Sequence, residues 1–157
     1  LNFIHLCQDK ETVPENWVTS DQFIYVRQGD KKIVGMIDFR HYFNEFLEKY
    51  GEVDVTVDGM EAVDAFLMSL EDEEPYDLVC LDVMMPVMDG YQALMGIRNI
   101  EKQRNIAQED MVKVIMTTAL NDERNVKKAF ELGCTVYSGK PLNVDKFEEV
   151  LTKLGLI

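Results

Sequence analysis

A chain of 157 residues is long enough to bury one substantial core and too short for two ordinary domains. Its formal charge of −13 argues against a nucleic-acid or anionic-membrane surface, both of which need clustered Lys and Arg to offset phosphate, and leaves proteins or cations as partners. No apolar run nears the roughly 20 residues that cross a bilayer, and the start Leu1-Asn-Phe-Ile-His5 has no secretory pattern, so a cytoplasmic location is expected. Cys7, Cys80 and Cys134 have no CxxC spacing and read as reduced thiols filling apolar space. A first residue of Leu rather than Met reads as a start inside a longer frame or after trimming.

In chain order, Asp9 to Ser20 is polar, contains Pro14 and reads as loop. Phe23 to Gln28 and Lys31 to Ile37 are strand-like runs around Gly29-Asp30, a hairpin signal. Arg40 to Tyr50 reads as an amphipathic helix with Phe43, Phe46, Leu47 and Tyr50 on one face. From Gly51 onward strands alternate with helices, the pattern of a parallel sheet covered on both faces. The expected strands are Val53 to Val57, Tyr76 to Leu81, Val112 to Thr117 and Thr135 to Ser138. The expected helices are Gly59 to Leu70, Tyr91 to Gln103, Glu123 to Leu132 and Val144 to Leu154. Asp122 is placed to cap the third of these and Gly133 to stop it. The acidic run Glu71 to Glu74 precedes Pro75 and reads as a solvated connection.

The run Leu78-Val-Cys-Leu-Asp-Val-Met-Met-Pro-Val-Met-Asp-Gly90 carries the clearest chemistry. An apolar strand ends on one carboxylate, Asp82, and a proline-containing loop follows. A carboxylate where a buried strand meets solvent is partly desolvated yet reachable, which suits a nucleophile or a metal ligand. Val114-Ile-Met-Thr-Thr-Ala119 ends in hydroxyls, and Val136-Tyr-Ser-Gly-Lys-Pro141 ends in Lys-Pro. In a parallel sheet all three motifs fall at the carboxyl ends of strands, where open α/β sheets place their sites. A carboxylate, a hydroxyl and an ammonium brought together suit phosphoryl transfer to an aspartate, because the incoming phosphoryl oxygens need cations and hydrogen-bond donors. Thr117 reads as a strand residue, and Met84, Met85 and Met88 as loop packing.

From Gly51 to Ile157 these motifs, in this order, resemble the receiver domain of two-component response regulators. The resemblance implies a flavodoxin-like α/β fold, a doubly wound parallel five-stranded sheet of order 2-1-3-4-5. It implies Asp82 as phosphoacceptor, Thr118 as the switch hydroxyl, Tyr137 as the aromatic switch, and Lys140 as the lysine that pairs with the phosphoryl group. It also implies a cis peptide before Pro141 and a magnesium ion held by Asp82 and the Met84 backbone carbonyl. The implied partner is a histidine kinase or phosphotransfer protein. The domain would be no enzyme beyond weak autophosphorylation from small phosphodonors and self-dephosphorylation, and no effector domain is expected before Ile157.

A receiver carries an acidic pair just after its first strand. Counting back from Tyr50-Gly51 puts that pair at Gly35 and Met36, neither of which binds a cation through its side chain, so weak or absent magnesium binding is expected. Asp38 is the nearest substitute. Phe23 to Gly51 is similar to the N-terminal part of a Gcn5-related N-acetyltransferase, without that family's pyrophosphate-cradling loop, so acetyl transfer is not expected. These resemblances predict a chimera. Residues 1–50 form an acetyltransferase-like hairpin and helix, Lys32 to Ile37 and Arg40 to Tyr50 standing in for the receiver's first strand and helix, and 51–157 form the receiver. Phe23 to Gln28 would add an antiparallel neighbour, and an imperfect graft would favour a homodimer by exchange of elements. A receiver-like binding module that is not phosphorylated, a chimera without native activity, and a diverged receiver with an N-terminal extension are the alternatives.

Overall fold

Leu78 to Asp82 is a run of five residues buried on both faces, as a central parallel strand must be. The computed structural model describes residues 2–6, 23–27, 33–85, 87–118, 123–140 and 143–157, with side chains from Phe43 onward. Its strands are β1 (Asn2–Leu6), β2 (Phe23–Arg27), β3 (Ile33–Asp38), β4 (Glu52–Thr56), β5 (Leu78–Asp82), β6 (Lys113–Thr118) and β7 (Val136–Gly139). Its helices are α1 (Phe39–Leu47), α2 (Gly59–Glu71), α3 (Gly90–Gln103), α4 (Glu123–Glu131) and α5 (Val144–Lys153).

Five strands form one sheet in the order β4-β1-β5-β6-β7, and every neighbouring pair is parallel. Numbered along the chain within that sheet, this is the expected order 2-1-3-4-5. Alternation along β5 divides the core. Val79 and Leu81 pack with Val114 and Met116 under α2, α3 and α4, through Phe66, Leu94, Ile97 and Ala129. Leu78 and Cys80 face the other way with Ile115, under α1 and α5. Phe147 of α5 meets Phe43 of α1 edge-on, with ring centroids 4.7 Å apart, an arrangement that adds to area burial. Tyr50 donates to Glu148 Oε1 at 2.8 Å beyond the end of α1.

Local chemistry explains the helix ends. Asp58 Oδ1 accepts from the backbone N–H groups of Met60 and Glu61 at 2.8 and 3.0 Å. Asp89 and Gln92 form a reciprocal capping box at α3, satisfying amide groups that a helix start otherwise leaves unpaired. Gly133 has φ +94, so the stop after α4 uses backbone that only glycine adopts without cost. The cap expected at Asp122 and the turn expected at Gly29-Asp30 lie outside the described residues.

The first-strand position departs from expectation. The strand between β4 and β5 is Asn2–Leu6, with Leu6 opposite Thr56 on one side and Leu81 on the other. Lys32 to Ile37 does not fill that slot. Residues 33–38 are β3, paired antiparallel with β2 in a separate two-stranded sheet. β2 and β3 therefore stand, in chain order, between β1 and α1 instead of replacing the first strand. Counting back a fixed distance from Gly51 fails because β2 and β3 lengthen the path from β1 to α1.

Candidate functional site

Asp82 is the last residue of β5 and stands opposite Thr117 of β6. It is 6% exposed, because the sheet and the start of α3 close around it. The backbone continues the ladder for one more residue, with Val83 N–H donating to the Thr117 carbonyl at 2.9 Å. Gly90 N–H then returns to the Val83 carbonyl at 3.1 Å, tying the far end of the loop to its start.

Two donors hold the carboxylate. Met84 N–H donates to Oδ1 at 3.0 Å, and the Lys140 ammonium donates to Oδ2. Lys140 follows β7 directly, and its own N–H donates to the Thr118 carbonyl at 2.7 Å, so β6 positions the lysine as much as β7 does. A charge-assisted hydrogen bond to a carboxylate this buried is stronger than its surface counterpart. Thr118 ends β6, fully buried and in register with Gly139. Tyr137 is opposite Met116 and half-buried against the cluster under α3 and α4. The structure thus gathers Asp82, Thr118 and Lys140 at the carboxyl edge of three adjacent strands. Thr117 is a strand residue, as expected, with its hydroxyl donating to the Leu81 carbonyl at 3.3 Å.

Two further expectations resolve differently. Gly35 and Met36 are not residues that follow the first strand, since they lie within β3, opposite Val26 and Tyr25. Asp38 is the last residue of β3, opposite Phe23, and leads into α1. Pro141 lies outside the described residues, as do residues 7–22, which follow β1. Among the described residues, no group of three or more His, Cys, Asp or Glu is arranged to hold a metal ion.

Sequence reasoning missed two supports of the site. One is the first strand itself, signalled by the apolar Phe3, Ile4 and Leu6 ahead of the polar loop. The other is Gly90, where an added Cβ would lie 2.4 Å from the Asp82 carbonyl oxygen. Its signal was the Asp-Gly pair that opens α3.

The sequence model of the family described as response regulator receiver domain matches residues 36–152. A probable transcriptional regulator, ycf29, from Porphyra purpurea is 30% identical over 111 residues, covering 70% of this chain and 48% of that protein. This chain therefore spans about half that relative's length. A chain of the Saccharomyces cerevisiae complex of the histidine phosphotransfer signaling protein Ypd1 with the receiver domain of its downstream response regulator Ssk1 superposes with a TM-score of 0.68 at 21% identity, covering 99% of this chain and 88% of that one. The receiver domain of sensor histidine kinase PA1611 from Pseudomonas aeruginosa PAO1, with magnesium ion coordinated in its active site cleft, superposes with a TM-score of 0.62 at 21% identity, covering 98% and 97%. At that identity the two structures speak for the fold.

Proposed function

The chain belongs to the response regulator receiver domain family, and from that premise we propose that it accepts a phosphoryl group on Asp82 from a histidine kinase or a histidine phosphotransfer protein. The observation that carries this reading is the Asp82 carboxylate, buried at the end of β5 yet held by one ammonium and one backbone N–H. In the transfer, a carboxylate oxygen of Asp82 forms the new P–O bond as the P–N bond to the donor imidazole breaks, and the imidazole nitrogen keeps the electron pair. Lys140 offsets charge on the incoming phosphoryl oxygens. Thr118 then supplies a hydroxyl to one of them, and Tyr137 answers that movement on the neighbouring strand. The added charge is what shifts the population of the α4 and β7 surface presented to an output partner.

A magnesium ion fits part of this edge. Asp82 and the Met84 carbonyl would supply two of its oxygens, and when bound the ion supplies positive charge to the phosphoryl group. The expectation of weak binding rests on Gly35 and Met36 standing where the acidic pair belongs. The pairing of Asn2–Leu6 between β4 and β5 supports a first strand earlier in the chain, and the first two acids that follow it in the sequence are Asp9 and Glu11.

Intact-mass measurement after incubation with magnesium and a small phosphodonor, or with a phosphorylated phosphotransfer protein, tests the proposal. One added phosphoryl group that disappears in Asp82→Asn is expected. Addition that persists in Asp82→Asn, or none from either donor, would overturn it. The receiver-like module without phosphorylation is the reading left in the second case.

A further inference from the structure

α4 is held more lightly than α3 beside it. Of its nine residues Ala129 alone is buried, whereas α3 buries six, Tyr91 among them. Burial of apolar surface is the main force that fixes a helix on a sheet, so α4 depends on specific contacts for its place.

Two of those contacts come from Tyr91, the second residue of α3, which is 6% exposed. Its hydroxyl donates to the Asn125 carbonyl at 3.3 Å, and the Lys128 ammonium stands over its ring, 4.2 Å from the centroid. Asn125 and Lys128 are three residues apart and so share one face of α4. Lys128 is an exposed residue, and a cation over a ring at such a site is a weak hold, one that a shift of the helix can break.

The two sides of this contact differ in freedom. Tyr91 stands on a fixed support. Gly90 N–H is bonded to the Val83 carbonyl, the Asp89–Gln92 capping box closes the first turn of α3, and Gly90 leaves no room against the Asp82 carbonyl. On the other side, β6 ends at Thr118 and α4 begins at Glu123, so α4 is the first helix that a displacement of Thr118 toward a phosphoryl group reaches.

We infer that Tyr91 is a positioning residue for the response to phosphorylation. With Asn125 and Lys128 it clamps α4 to the start of α3 in the resting chain, and the clamp opens when Asp82 is phosphorylated. The inference rests on the reading of Asp82 as phosphoacceptor. A clamp made only in the resting state stabilises that state against the switched one. Weakening it therefore favours the switched state and, by reciprocity, tightens the binding of any group on Asp82 that selects that state. A tyrosine that merely filled the core would support both states alike and leave that binding unchanged.

Titration calorimetry of the full chain with beryllium trifluoride and magnesium tests this, the fluoride adduct standing in for a phosphoryl group on the carboxylate. Lys128→Met should bind it about two- to fivefold more tightly than the parent, and Tyr91→Leu about five- to tenfold. Lys128→Arg keeps a cation for the ring and should return to the parent affinity. Lys127→Met removes the same charge one residue away, from an exposed pair with Glu131, and should bind as the parent does. Equal or weaker binding by Lys128→Met, the same tightening in Lys127→Met, or a Lys128→Arg as tight as Lys128→Met would overturn the clamp while leaving the parent's binding in place. No binding by the parent would overturn the Asp82 reading and the clamp with it. If Tyr91→Leu fails to fold, the lysine variants still decide.

Discussion

A Cβ on Gly90 would lie 2.4 Å from the carbonyl oxygen of Asp82 and 3.0 Å from the Cα of Val83. Both obstacles are backbone, so no side-chain rotation relieves them. Gly90→Ala is expected to destabilise the fold by about 1–3 kcal/mol, read from the midpoint of urea unfolding. It should also lower phosphoryl uptake, because the first turn of α3 would be pushed off the loop that carries Met84.

Lys140 is the charged donor on Asp82. Lys140→Ala should slow phosphoryl addition about a hundredfold, the usual scale for removing one preorganised electrostatic donor. A time course of intact mass measures this, on protein whose circular dichroism matches the parent. An unchanged rate would mean that the lysine serves only to hold the resting carboxylate.

Met36 pairs with Tyr25 in the two-stranded sheet, not with the strands that carry Asp82. Met36→Asp should therefore leave magnesium affinity unchanged, whereas Asp9→Asn should weaken it. Calorimetric titration with magnesium checks both. A gain in affinity from Met36→Asp would return the acidic pair to β3.

Glu101 is fully buried, yet it is satisfied. Its Oε1 accepts from Val112 N–H at 2.7 Å, and its Oε2 from Arg98 Nη1 at 2.6 Å. Arg98 also donates to the carbonyls of Gly133 and Val112, so this pair clamps α3 to the start of β6 and the stop after α4. Arg98→Met strands a buried carboxylate and should cost about 3–5 kcal/mol. Arg98→Met/Glu101→Gln should recover part of that loss. Unfolding midpoints of the three proteins test the coupling.

Alkaline stability follows from two thiols. Burial raises the Cys80 thiol above its ordinary range. Burial also pushes Cys134 up to about 11, against the opposing pull of Arg98. Both stay protonated in the folded chain at a pH where the unfolded chain has begun to lose those protons. Their contribution is whole below about pH 9 and is lost as pH rises toward 11 and beyond. Cys80→Ala/Cys134→Ala should flatten the fall of unfolding midpoint with pH in that window.

The gathering of Asp82, Thr118 and Lys140 is legible in the sequence, because each motif ends an apolar strand and parallel strands bring such ends to one edge. Helix ends are legible for the same local reason, since Gly133 states its conformation through its own steric freedom. The first strand is not. Asn2–Leu6 is five residues separated from its neighbours by a long stretch of chain, and a competing hairpin pattern stands nearer to α1. Pattern within a short window cannot rank two candidate strands for one slot when the sheet that chooses between them is assembled from distant residues.

The strand ends and the chemistry they carry can be read from the residues alone, because a strand's alternation and its terminal polar residue are local properties. Packing between distant elements sets which segment lies between β4 and β5 and requires that Gly90 have no side chain. Each of these depends on the distance between elements far apart in the chain, and only packing around a shared core sets those distances.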